Sequence, residues 1–374
     1  MPTLRRAILA DLVHYTVPKA EALERLAELE ELTKTYGGVA VVRTVQRRAK
    51  PDNRTYIGSG KVEEIVAEGK LLGADLLIIN EVLKPQQIFN LEELLRGAKI
   101  QVWDRIDLIL NIFDKHAKTS EAKLEIELAR LRHMGPRIFN MGAELGRQRG
   151  GRGTVGGSGE GNTEAMKRHL REQEKQILQK LEKCQSVRDQ HQQHRRRQEK
   201  KTVALVGYTN AGKTSLLNAL GKRQEYAADK LFATLDTRVA DVYIPELNET
   251  ILLSDTIGFI AGLPPQLIRA FHSTLSEAAN ADLLLQVVDV ADPKYVAKMA
   301  VVDDVLQQLN IADHPRLIVY NKIDAIKKPA TIKKLLSTSS PSYGGVRGGV
   351  VVSAHAKTGL IELKTAIAKM FSTT

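Results

Sequence analysis

The sequence predicts an α/β fold in which a small α/β subdomain and a long helical hairpin precede a larger domain with a mostly parallel sheet. Three observations lead there. Short apolar runs alternate with helical periodicity over residues 1–115, two long charged helical patterns fill 116–200, and from residue 201 a continuous apolar run, TVALVG, opens into a turn and another helix. At 374 residues the chain can hold two or three domains, each with its own core, and boundaries at 1–115, 116–200 and 201–374 follow from these changes of character.

Composition narrows the class of molecule. Hydrophobic residues make up 43% and charged residues 26%, and no run approaches the roughly 18 consecutive apolar residues that span a bilayer. The opening MPTLRRAILADLVHY carries Asp11 and His14 within its apolar stretch and lacks a small-residue cleavage site, unlike a secretory leader. A cytoplasmic monomer with no membrane span is expected. The one cysteine, Cys184, excludes an intramolecular disulfide and a cysteine-cluster metal site. A net charge of +11 and a pI near 9.5 favour a polyanionic partner such as RNA, whose phosphates draw Lys and Arg through counterion release.

Along the first segment, residues 20–36 place Leu23, Leu26, Leu29 and Leu32 three apart, which predicts a helix with one inward face, ended by Gly37-Gly38. A strand follows at 39–45, then a helix at 61–72, a strand at 76–79, a helix at 85–95 and a strand at 100–103. This βαβαβ rhythm favours a parallel sheet covered by helices, with the lone Trp103 packed at an edge of the core.

The patterns at 120–140, with Leu124, Leu128 and Leu131, and at 164–201, with Met166, Leu170, Ile177, Leu181 and Cys184, each carry one apolar stripe. Their simplest burial is against each other as an antiparallel hairpin. The second helix outlasts its stripe and ends in QHQQHRRRQEKK, where His191 and His194 read as surface residues. Arg195, Arg196 and Arg197, with Lys200 and Lys201, are either solvated or in contact with phosphate. Between the helices, about residues 142–163, GAELGRQRGGRGTVGGSGEGN is too rich in glycine for a helix or strand interior and reads as a flexible tip. Arg147, Arg149 and Arg152 on it are candidates to follow an RNA phosphate contour. Gly151, Gly153 and Gly156 spell G-x-G-x-x-G, but a helical pattern precedes them where a dinucleotide site requires a strand.

The chemistry is concentrated after residue 201. Gly207, Tyr208, Thr209, Asn210, Ala211, Gly212, Lys213, Thr214 and Ser215 read G-x-x-x-x-G-K-T-S between an apolar strand and the helical SLLNALG. Glycines let backbone N–H groups turn in around phosphates, the helix N-terminus faces them, Lys213 bridges β and γ oxygens, and the Thr214 hydroxyl is a Mg²⁺ ligand. Asp255-Thr256-Ile257-Gly258 follows a strand, where the aspartate can hold Mg²⁺ through water and the Gly258 N–H can contact the γ-phosphate. Within Phe232-Ala233-Thr234-Leu235-Asp236, Thr234 is the candidate for the switch hydroxyl that completes Mg²⁺ coordination, with Thr237 as the alternative.

Base choice rests on two later segments. Asn321-Lys322-Ile323-Asp324 follows an apolar strand, and its aspartate can accept both N1–H and the exocyclic amino group of guanine, a pair that adenine does not present. Ser353-Ala354-His355 follows another and would set backbone N–H groups near the guanine carbonyl. A P-loop, Ras-like G domain that binds GTP and GDP is therefore expected, with Lys213, Thr234 and Gly258 stabilising the reacting phosphates. Many GTPases place a water-orienting glutamine directly after Asp-x-x-Gly, whereas Phe259 and Ile260 stand here, so hydrolysis by the isolated chain is expected to be slow. No Ser/His/Asp triad or His/Asp metal cluster stands out in the sequence.

GYTNAGKTSLLNAL, LFATLD, LLSDTIGFI, VVDVADP and NKID resemble the corresponding segments of the HflX family of translation-factor-related GTPases, and YIGSGKVEEI, KLEIELARLRHM and a glycine-rich loop occur in that family's order. The resemblance spans nearly the whole chain. It implies a GTP-dependent factor that binds the large ribosomal subunit and, in some members, splits ribosomes, with Thr214 and Thr234 as Mg²⁺ ligands. Two segments depart from the pattern: LDTRVADV where LDPT is usual, and GGSGEGNTEAMKRH in place of G-P-G-E-x-x-x-E-x-D-R-R. A GTPase of rRNA or tRNA maturation, and a nucleotide-gated RNA-binding scaffold with incidental hydrolysis, stay open beside it.

Overall fold

The computed structural model describes residues 4–148, 158–197, 200–221, 232, 238–262, 267, 277–326 and 349–372, by backbone alone at 136–148, 158–163 and 187–197. They fall into two compact units, Met1–Lys115 with Lys123–Glu182 and His116–Ala122 with Lys183–Thr374.

The first unit is built on β1 (Arg5–Val13), α1 (Lys19–Tyr36), β2 (Gly38–Arg47), α2 (Ser59–Leu72), β3 (Leu76–Ile79), α3 (Pro85–Leu95) and β4 (Gln101–Trp103), followed by α4 (Arg105–His116). Its four strands are all parallel, in the order β2-β1-β3-β4. β1 pairs on both sides yet is not legible in the sequence, because Asp11 breaks its apolar run. That aspartate is 1% exposed. Its carboxylate accepts hydrogen bonds from Arg25 Nε at 2.8 Å and Asn80 Nδ2 at 3.0 Å, which offsets the cost of burying the charge.

Leu26, Leu29 and Leu32 of α1 are buried as expected, but Leu23 is 54% exposed. A three-residue step lags the helix by about 60°, so three such steps turn Leu23 to the side opposite Leu32, and Ala22 takes the inward place. Trp103 packs edge-to-face on Tyr36 at 5.1 Å, with the Arg5 guanidinium 5.6 Å from the ring centroid.

α5 (Ser120–Gln148) and α6 (Ser158–Arg197) run antiparallel: Arg132 pairs with Glu174 at 2.8 Å, and Leu170 Cδ1 lies 3.9 Å from where Gly135 would carry a Cβ. Within the segment 142–163, expected as a glycine-rich tip, helix runs to Gln148 and resumes at Ser158, and residues 149–157 lie outside the described residues. Extending an existing helix needs no new nucleus, so Gly142 and Gly146 cost only about 1 kcal/mol each among the helix formers around them.

The fold also assembles a cluster that the sequence does not reveal. Asp104 Oδ1 accepts the Asp107 N–H at 2.9 Å, Asp107 Oδ2 accepts the Asp104 N–H at 3.2 Å, and His133 Nε2 of α5 lies 3.1 Å from the Asp104 carboxylate. With the Leu83 N–H also on Asp104 Oδ2 at 3.2 Å, this is a reciprocal cap on α4 that ties in α5. No helix among the described residues is long and apolar enough to cross a membrane.

The second unit contains β5 (Thr202–Gly207), α7 (Lys213–Leu220), β6 (Arg238–Ile244), β7 (Glu249–Asp255), β8 (Leu283–Asp289), α8 (Tyr295–Gln308), β9 (Arg316–Asn321), β10 (Val350–Val351) and α9 (Leu360–Ser372). Its sheet runs β10-β9-β8-β5-β7-β6, parallel except that β6 is antiparallel to β7, with Arg238 opposite Asp255 and Ile244 opposite Glu249. Leu283, Leu285 and Val287 of β8 share one core with Leu216 and Leu217 of α7 and Leu363 and Ile367 of α9. This is the P-loop, Ras-like arrangement. The strand order reverses at β5, and a ligand crevice in an open α/β sheet forms at the carboxyl end of such a strand.

Candidate nucleotide site

The turn from β5 into α7 occupies that crevice. Gly207, Asn210 and Gly212 have φ of 153°, 61° and 90°, which bends the backbone through conformations that favour glycine or asparagine. Gly212 is constrained twice. A Cβ there would stand 2.3 Å from Asn321 Nδ2, in a backbone conformation already strained for any L side chain. Gly212→Ala is therefore expected to destabilise the protein by about 1–3 kcal/mol, checked by thermal unfolding without nucleotide.

Lys213 is buried, and its ammonium donates to the carbonyl oxygens of Gly207 at 3.2 Å and Tyr208 at 3.1 Å. Burial pulls its pKa down to about 8, against the opposing pull of the Asp255 carboxylate. Thr214 Oγ1 donates to Asp255 Oδ2 at 2.6 Å, so a hydroxyl and a carboxylate, both hard oxygen donors, stand together beside the lysine. That donor set suits Mg²⁺.

Beyond Asp255 the chain folds down onto the turn. Thr256 Oγ1 donates to the Leu205 carbonyl at 2.6 Å, the Phe259 N–H to the Gly207 carbonyl at 3.0 Å, and the Thr209 N–H to the Phe259 carbonyl at 2.7 Å. Gly258 is held so close that a Cβ on it would lie 2.8 Å from Thr209 Cα and 3.1 Å from Lys213 Nζ. Phe259 and Ile260 are buried, so neither side chain reaches solvent.

The two later segments join the same site through Asn321. Its Nδ2 donates to the Ala211 carbonyl at 2.9 Å while its Oδ1 accepts the Ala354 N–H at 3.0 Å. Ser353 Oγ donates to Asp324 Oδ1 at 2.5 Å and accepts the Ala356 N–H at 2.9 Å, which fixes the exposed Asp324 carboxylate beside Ala354 and His355. Lys322, at φ 64°, pairs with Asp289 at 2.7 Å, and its Cε lies 3.9 Å from where Gly212 would carry a Cβ. Ile323 begins the short turn that carries Asp324. The aspartate at the end of β8, Asp289, sits in the VVDVADP segment but is not among the site residues singled out from the sequence; its register opposite Asn321 and its ion pair with Lys322 bring it to the site.

Three family models match this chain in succession: a GTP-binding GTPase N-terminal region at residues 23–114, a GTP-binding GTPase middle region at 116–195 and a 50S ribosome-binding GTPase domain at 202–322. The GTPase HflX of Caldanaerobacter subterraneus subsp. tengcongensis is 43% identical over 86% of this chain and 73% of its own length. The chain belongs to the HflX family of GTPases. The Escherichia coli GTPase HflX is 40% identical over 85% of the chain and 74% of its own length. Among solved structures, a GTP-binding protein of the archaeon Sulfolobus solfataricus in complex with GDP is 27% identical, covers 99% of both chains and has a TM-score of 0.51. Another, described as the SsGBP and GDP complex, is 28% identical over 99% of both chains, with a TM-score of 0.54. Like the family, this chain is a GTP-hydrolysing enzyme.

Of the residues singled out from the sequence, Gly207 to Ser215, Asp255 to Gly258, Asn321 to Asp324 and Ser353 to His355 converge in this crevice. Phe232 is buried at φ 55°. Ala233, Thr234, Leu235, Asp236 and the alternative Thr237 lie outside the described residues, as do Arg149 and Arg152. Arg147 belongs to the last turn of α5 and Arg195, Arg196 and Arg197 to the end of α6, by backbone only.

Proposed function

We propose that the crevice holds GTP with Mg²⁺ and that the GTP-bound chain binds the large ribosomal subunit, in ribosome splitting, rescue or recycling. The observation that carries the nucleotide assignment is the Asn321 clasp, which joins the phosphate turn to both base-side segments. On this reading Lys213 exchanges two loop carbonyls for β- and γ-phosphate oxygens, and the Gly258 N–H faces the γ-phosphate. Asp324 accepts N1–H and the amino group of guanine. Thr214 and Thr234 would hold the Mg²⁺, with Asp255 behind a water, and the metal supplies charge neutralisation on the phosphate oxygens. The ribosomal partner is supported by the +11 charge, which suits rRNA, and by the 50S ribosome-binding description of the family matched at 202–322. Arg147, Arg149, Arg152, Arg195, Arg196 and Arg197 are the proposed rRNA contacts.

Purified protein is expected to hydrolyse GTP slowly by itself, since buried Phe259 replaces a water-orienting glutamine, and to be accelerated strongly by large subunits or intact ribosomes. ATP and bare tRNA are the controls. An unchanged rate with every ribosomal component would overturn the ribosomal assignment and leave the nucleotide site standing.

Lys213 also sets a pH dependence. Phosphate oxygens favour the ammonium, so nucleotide binding draws its pKa upward from about 8 and takes up a proton in more alkaline solution. GDP affinity is therefore expected to be level below about pH 8 and to fall by up to roughly tenfold per unit above it, measured by fluorescent-nucleotide titration. In Lys213→Met the affinity is low and this alkaline fall disappears.

A further inference from the structure

Tyr208 is the second residue of the phosphate turn, and the motif assigns it only a backbone N–H. Its side chain does more. The hydroxyl accepts the Ala261 N–H at 2.9 Å, across to the segment that follows the metal aspartate, and Lys298 of α8 stands 4.8 Å from its ring centroid while pairing with Asp292. The ring is nearly buried.

The Ala261 contact completes a set of three. The Phe259 N–H on Gly207 at 3.0 Å, the Thr209 N–H on the Phe259 carbonyl at 2.7 Å and the Ala261 N–H on the Tyr208 hydroxyl bracket Gly258 to Ala261 against the phosphate turn. The first two are backbone bonds that almost any residue at 259 would make. The third depends on one side chain, held in place by the cation over its ring.

We infer that Tyr208 is a positioning residue for GTP hydrolysis: its hydroxyl fixes the Gly258–Ala261 backbone so that peptide groups there face the γ-phosphate and its attacking water in a set geometry. The inference rests on the nucleotide assignment above. Phe259 and Ile260 are buried and apolar, so orientation of the water falls to backbone groups of this segment, to another side chain or to a partner. A hydrogen bond from a backbone group stabilises a transition state only if that backbone is already in place when charge develops. Tyr208 supplies the constraint at the far end of the segment, beyond the buried phenylalanine.

Tyr208→Phe keeps the ring under Lys298 and removes only the hydroxyl. It is expected to lower kcat about tenfold, close to 1.4 kcal/mol, to leave KM within about twofold, and to weaken GDP with aluminium fluoride about tenfold while GDP alone binds as in the parent protein. Lys298→Gln, which removes the cation over the ring, shifts the same quantities in the same direction and less far. If kcat and the aluminium fluoride complex are unchanged in Tyr208→Phe while GDP binds normally, the inference is wrong and the nucleotide site stands. A parallel loss of GDP affinity assigns Tyr208 to the general integrity of the turn and also overturns it. Failure of the unmodified protein to bind GDP removes the site assignment, and the inference with it.

Discussion

Lys213→Ala is expected to lower kcat/KM for GTP by about 10²–10³-fold, because on the proposed assignment it removes the cation that would meet the transferring phosphate. The expected effect on the nucleotide-free protein has the opposite character. Lys213 is buried, with a pKa lowered by desolvation, so its ammonium is strained where it stands, with two loop carbonyls and a carboxylate offsetting only part of the cost. Thermal unfolding without nucleotide should thus be unchanged or shifted upward in Lys213→Ala, while the stabilisation added by GDP is lost. Calorimetric scans with and without GDP separate the two. A fall in nucleotide-free stability equal to the loss of GDP-dependent stabilisation would mean that the lysine is structural.

Asp324→Ala carries the second large effect. Two charge-assisted hydrogen bonds to guanine, at about 1.5–3 kcal/mol each, correspond to a loss of roughly two to four orders of magnitude in GTP and GDP affinity. Binding of ATP, which never made those bonds, should change little. Asp324→Asn replaces one acceptor by a donor, and xanthine offers a carbonyl where guanine has its amino group, so xanthosine diphosphate should displace GDP as the preferred ligand. Competition titration with the three nucleotides reads all of this. Ser353→Ala removes only the hydroxyl that orients the carboxylate at 2.5 Å, and its cost should be no more than about tenfold. Equal losses for ATP and GTP in Asp324→Ala would sink the base-selection assignment.

What could be read in advance follows the range of the interactions involved. Strand-loop-helix order and short polar motifs are local, so the β5–α7 turn, the strand that ends at Asp255 and the strands that lead to Asn321 and Ser353 are legible in the sequence, together with β3 and α3 to the residue. β1 is hidden in the sequence because its Asp11 is paired with the Arg25 guanidinium and hydrogen-bonded by Asn80, the second of which is 69 residues away in the chain. Leu23 leaves the inward face because a strict three-residue step drifts around a helix of 3.6 residues per turn and cannot keep one stripe over that length. The contact of His133 with the Asp104–Asp107 cap on α4 is not legible in the sequence, since it depends on how α5 lies against α4. The clasp at Asn321 belongs to the same class: the motif suggested the residue but not that its amide would join Ala211 to Ala354.

Arg238 and Asp255 are cross-strand partners, so the strand that follows the Phe232–Asp236 motif in the sequence and the strand that ends at Asp255 are the two arms of one antiparallel hairpin, meeting at its open end. Slipping one arm by a single residue would turn every inward side chain of β6 outward, including Val242 and Ile244 of the core, so the arms have no independent registers to adopt. If both motifs contact the third phosphate, as proposed, this hairpin couples them in series. On that proposal a receiver would hear a single message, nucleotide triphosphate present or gone, and a partner that grips either arm would answer for both.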